Sequence, residues 1–81
     1  MEHYITFRSL TTAQLASALL QRYGIAHRLQ RTPKSMAGLG CGYSLKLAGW
    51  RSLEAVQLFR EDGIAYQRVY QSGNPPTEVP V

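Results

Sequence analysis

Across residues 4–8, Ile5 and Phe7 alternate with Thr6 and Arg8, a period of two that predicts a half-buried strand. Thr11 then stands three residues before Gln14, the spacing of a reciprocal capping box at a helix start. Leu15, Ala16, Leu19, Leu20 and Tyr23 follow at helical spacing and form one apolar stripe. Gly24 supplies the left-handed residue that lets such a helix stop. Residues 25–31 predict a second strand, with Ile25, His27 and Leu29 on one side.

The plan then repeats. Tyr43, Leu45 and Leu47 alternate against Ser44 and Lys46, and Gly49 breaks the strand. Residues 50–62 predict a helix presenting Ala55, Leu58 and Phe59, with Trp50 at its start as a packing anchor, and Gly63 stops it. Residues 64–70 predict the last strand, whose register stays open because Ile64, Tyr66 and Tyr70 share a face with Arg68. Placing residues 4–29 over 43–68, an offset of 39, sets Tyr4 on Tyr43, Ala16 on Ala55, Leu19 on Leu58, and Gly24-Ile25-Ala26 on Gly63-Ile64-Ala65. A strand, a helix and a strand recurring at this period are a βαβ unit used twice.

Two such halves, about 4–31 and 43–70, predict a single domain over residues 1–70. Its fold class is α+β, a ferredoxin-like βαββαβ arrangement with a four-stranded antiparallel sheet and two helices on one face. The other sheet face is expected to be bare. Residues 71–81 hold three prolines and no periodicity, which predicts a disordered tail.

Composition narrows the function classes. Eighty-one residues build one small core, too little for a deep walled pocket within one subunit. No run approaches the roughly 18 apolar residues of a membrane span, and the N-terminal residues lack a basic region followed by an apolar one. A single cysteine excludes an internal disulfide and fits a reducing, cytoplasmic setting. The net charge of +4 comes mostly from scattered arginines, which read as a solvated surface and disfavour nucleic acid as the partner. No catalytic triad order, phosphate loop or paired carboxylates occur.

Residues 32–42 carry the candidate chemistry: three glycines, a proline and the only cysteine, in a connection longer than the two to five residues usual for a hairpin. In this topology the connection lies at the same end of the sheet as the start of the first helix, near Thr11 and Thr12. Unpaired amides at a helix start favour an anion, and thiolate is the reactive form of cysteine. Arg8, Arg31 and Lys34 fall where they could add positive charge, and Gly40 and Gly42 remove bulk on both sides of Cys41. Cys41 as a buried small hydrophobe stands as the alternative, since lone cysteines are often that.

Phe7-Arg8-Ser9, Gly24-Ile25, Arg28-Leu29, Thr32-Pro33-Lys34, Gly40-Cys41-Gly42, Ser44-Leu45-Lys46, Gly63-Ile64 and Tyr70 together resemble the family described as putative selenium/sulfur carrier-like proteins. The resemblance spans residues 4–70, with a departure at Met36-Ala37-Gly38-Leu39, where a more polar loop is expected. It implies that Cys41 holds sulfur or selenium as a transient persulfide or selenosulfide, with no other cofactor, and exchanges it with a protein donor or acceptor. Two readings compete. One is a non-catalytic interaction domain pairing, with itself or another protein, through the open sheet face or an edge strand. The other is an RNA-binding module, weakened because Leu45 and Thr6 stand where stacking aromatics belong. A metal site has no tight ligand spacing among His3, His27 and Cys41.

Overall fold

A computed structural model of the 81-residue chain describes residues 1–37 and 42–81. Its elements are β1 (Glu2–Phe7), α1 (Leu10–Arg22), β2 (His27–Arg31), the one-turn α2 (Lys34–Ala37) and β3 (Tyr43–Ala48). After a 3-10 turn (Gly49–Arg51) come α3 (Ser52–Glu61), β4 (Val69–Gln71) and β5 (Thr77–Glu78). The fold is α+β, with a five-stranded antiparallel sheet in the order β2-β3-β1-β4-β5. The expected count of four strands is thus corrected to five. The added strand lies within residues 71–81, which were expected to lack regular structure. It pairs Tyr70 with Glu78 and Gln71 with Thr77. A strand of two residues shows no period to read. The third helix, α2, lies inside the 32–42 connection and follows Pro33, whose carbonyl accepts from the Met36 N–H at 2.9 Å.

One face of the sheet holds the core. Ile5, Phe7, Leu45, Leu47 and Val69 are buried there against Ala13, Ala16, Leu19 and Leu20 of α1 and Ala55, Val56 and Phe59 of α3. Phe7 and Phe59 meet edge to face with ring centroids 5.7 Å apart, a favoured aromatic geometry. Burying an aromatic ring this size is worth about 1.5–3 kcal/mol relative to leaving it exposed.

Both helices end as the glycines predict. Gly24 has φ +68° and Gly63 φ +72°, and the next residue's N–H turns back onto the helix, Ile25 to Leu20 and Ile64 to Phe59. These bonds are related by the offset of 39, so the repeat is real through the helices and their ends. It fails in the strands. Ile5 faces the core, whereas its counterpart Ser44 lies on the opposite face, and Tyr4 and Tyr43 likewise face opposite ways. The cause is one residue: Phe7 to Ala13 spans six steps, and Leu47 to Ser52, between equally placed buried residues, spans five.

Three further expectations change. Ser9, not Thr11, caps α1; its Oγ accepts from the Thr12 N–H at 3.2 Å. Trp50 is 82% exposed and lies 5.3 Å from the Arg51 guanidinium instead of anchoring the core. The last strand shrinks to three residues, because Tyr66 packs against the core and Val69 is buried in it. Two core contacts three residues apart are incompatible with one period of two, which explains the ambiguous pattern.

Candidate functional site

The described residues of the site expected from the sequence lie where β1 runs into α1 and where Gly42 leads into β3. Register places Phe7, Tyr43 and Arg31 side by side across β1, β3 and β2. One step further, the Thr32 N–H donates to the Gly42 carbonyl at 2.9 Å, so the hairpin pairing continues past the assigned strands. Gly42 is pressed onto β1: a Cβ built there would stand 2.8 Å from the Phe7 carbonyl oxygen and 3.6 Å from Thr32 Oγ1. Only a residue without a side chain fits that approach.

Two residues beyond Phe7, Ser9 opens α1. Its hydroxyl also lies 3.0 Å from Thr12 Oγ1. The first turn holds no acidic residue, so no carboxylate of its own offsets the partial positive charge of the helix start. With the Thr12 N–H bonded to Ser9, the amides of Leu10 and Thr11 are the first-turn donors without an intrahelical acceptor.

The expected residues divide into four groups. Gly42 and Arg31 meet at one end of the sheet through the register just described, exposed Arg8 follows Phe7 at that end of β1, and Arg31 lies 6.0 Å from the centre of the Tyr43 ring. Lys34, exposed, begins α2 three residues after Arg31. Thr11 is exposed, while Thr12 is engaged in the cap and borders a groove of about 460 Å³ between α1 and residues 62–65, with Leu15, Leu19, Arg22 and Ile64. Gly40 and Cys41 lie outside the described residues.

Two polar residues escaped the sequence reading. Ser44 is fully buried, on the sheet face away from the helices, and its Oγ has no hydrogen-bond partner among the described residues. Thr32 Oγ1 is likewise buried and unpartnered. Thr6 beside Ser44 is 5% exposed, with its Oγ1 accepting from the Arg68 N–H at 3.1 Å. The face expected to be bare is therefore closed at its centre. The alternation of Thr6 and Ser44 with apolar neighbours located these hydroxyls on that face, but nothing in the sequence marks them as buried.

Both histidine rings are hydrogen-bonded within the fold. His27 Nδ1 donates to the Ile25 carbonyl at 2.8 Å, and its Nε2 lies 2.6 Å from Ser17 Oγ. His3 Nδ1 lies 2.7 Å from Ser52 Oγ, which donates to the Gly49 carbonyl at 2.8 Å. Among the described residues no three His, Cys, Asp or Glu side chains gather as a metal site would require. Tyr43 and Leu45 both turn toward the helices, so they form no stacking platform on the other face.

Residues 2–71 match the family described as putative Se/S carrier protein-like. The chain belongs to that family. No curated protein and no solved structure matches it. The Se/S carrier-like match begins with β1 and ends with β4, so β5 lies beyond it. Among the described residues no helix is long and apolar enough to cross a membrane.

Proposed function

We propose that this Se/S carrier-like protein holds sulfur or selenium on Cys41, as a persulfide or selenosulfide, and passes it to a second protein. Membership of the family is the observation that carries this reading. Support comes from the covalent neighbour of Cys41: Gly42 packs against the end of β1, two residues before the acid-free start of α1. Amides there, with Arg8, Arg31 and Lys34, favour a thiolate over a thiol. The strand order β2-β3-β1-β4 agrees with a ferredoxin-like frame to which β5 is added. A reducing compartment such as the cytoplasm suits a lone cysteine that must stay free.

Loading is a thiolate exchange. Cys41 thiolate attacks the terminal sulfur of a donor protein's persulfide. The donor's S–S bond breaks as the new S–S bond forms, and the donor leaves as a thiolate. No oxidant is consumed, because one thiolate replaces another. With a donor selenosulfide the terminal selenium moves in the same way. Unloading reverses the step, with an acceptor thiolate as the nucleophile. No second cysteine is present to intercept the cargo as an internal disulfide.

Incubation with a small-molecule persulfide, followed by intact mass measurement, should show one added sulfur that a reductant removes and that Cys41→Ser never acquires. The alkylation rate against pH should have its midpoint below about 8.5, the value for an ordinary thiol. A midpoint at or above that value, or unmodified mass after treatment, overturns the reading.

A further inference from the structure

We propose that the outer edge of β2 accepts an extended acidic segment of a partner protein as an added strand. The inference does not depend on Cys41. In a carrier, a strand added there would lie beside the stretch of chain that runs into the 32–42 connection.

The backbone is prepared for it. β2 is the last strand on its side of the sheet. Thr32 is hydrogen-bonded to Gly42, one step beyond the pair Arg31 and Tyr43. Bonded and non-bonded pairs alternate along an antiparallel ladder. Gln30 and Arg28 therefore bond to β3, and Leu29 and Arg31 direct their N–H and C=O groups outward. None of the turn, loop and cap hydrogen bonds among the described residues engages them. A row of outward donors and acceptors is a template for another strand.

Charge selects the occupant. No Asp or Glu occurs between Glu2 and Glu54, a stretch that includes all of α1, β2 and β3. Arg28 and Arg31 are exposed, and the three ion pairs of the described residues involve Lys46, Arg51 and Arg68 instead. Arg22 and Lys34, flanking β2 in the chain, are also absent from those pairs. Two copies joined through β2 would bring four arginines together without a carboxylate, which opposes self-pairing. A nucleic acid could answer the arginines, but its phosphates only accept hydrogen bonds and leave the outward carbonyls unmet.

Register sharpens the requirement. Arg28 and Arg31, three residues apart, project from opposite faces of β2, with half-buried Leu29 on the core side between them. An antiparallel partner matches when acids stand opposite Arg31 and Arg28 and an apolar residue opposite Leu29. Along the partner chain this reads acid, any residue, apolar, acid.

The test uses the full chain and a fluorescein-labelled peptide containing Glu-Thr-Val-Glu, titrated by anisotropy. Binding should saturate, weaken with added salt, and fall about tenfold or more for R28E/R31E. R28A/R31A, which adds no new charge, should also weaken it, and circular dichroism checks that both variants fold. In amide exchange, Leu29 and Arg31 should exchange quickly in the free protein and gain protection with peptide, whereas Arg28 and Gln30 are protected throughout. Cys41→Ser should bind the peptide unchanged, so failure of the carrier chemistry and failure of docking are separable. Equal binding of a peptide with its two acids adjacent overturns the proposal. So does absence of new protection at Leu29 and Arg31, or binding of oligouridylate or phosphatidylserine vesicles in place of the peptide.

Discussion

Gly42→Ala places a methyl group 2.8 Å from the Phe7 carbonyl oxygen, inside the 3.0 Å below which Cβ contacts are essentially never found. The obstructing atom is backbone. It cannot swing aside, because the Phe7 side chain is fully buried and its ring is held edge to face against Phe59. Either β1 or the start of β3 must shift, at the cost of overpacking, about 1–3 kcal/mol. In a domain this small that lowers Tm by roughly 4–24 °C. Urea unfolding followed by circular dichroism should show a lower midpoint with an unchanged slope. Gly24 is the control: nothing lies within 4 Å of its built Cβ, and its φ of +68° is the sole obstacle. Alanine there should cost about 1–2 kcal/mol from backbone conformation, and asparagine, which tolerates that conformation, should recover part of it. At Gly42 asparagine should do no better than alanine. Gly42→Ala within about 0.5 kcal/mol of the parent, or rescue by asparagine, would refute the close approach as the reason for glycine.

Ser44→Ala removes a buried hydroxyl that has no partner among the described residues, so it should leave stability unchanged or raise it by up to about 1 kcal/mol; a loss larger than that in urea unfolding means the hydroxyl is bonded. Ser52→Ala should go the other way, costing about 1–2 kcal/mol, because His3 Nδ1 and the Gly49 carbonyl both lose a partner. Phe59→Ala empties the centre of the core beside Phe7 and Tyr66 and should cost about 3–5 kcal/mol, enough to abolish a cooperative thermal transition in so small a domain.

The helices and their ends were legible because each rests on local physics. An apolar stripe buries one face, and a left-handed glycine closes it, so Gly24-Ile25 and Gly63-Ile64 announced two equivalent helix ends. The strands were legible in kind but not in alignment. Tyr4 and Tyr43 are identical residues on opposite faces, and a missing residue between β3 and α3 is invisible until parity is checked in space. Thr11 and Gln14 have the spacing of a capping box, but the chain leaves β1 at Phe7 and must turn within two residues, which puts the cap at Ser9. Of the candidate residues, the meeting of Gly42 and Arg31 at the ends of β3 and β2 followed from topology. The burial of Thr32 and Ser44 hydroxyls did not, since no local pattern encodes what covers a sheet face.

The two-residue β5 has a consequence for how many molecules this sheet can recruit. It caps β4, and its own outer margin is bounded by Pro76 and Pro80, which lack the donors a growing ladder needs. Extension of the ladder is thereby opposed on that flank, which leaves β2 as the other outer strand among the described residues. Backbone pairing that is open on one flank alone closes after a single addition, so a strand added at β2 would complete a discrete complex instead of seeding a fibre.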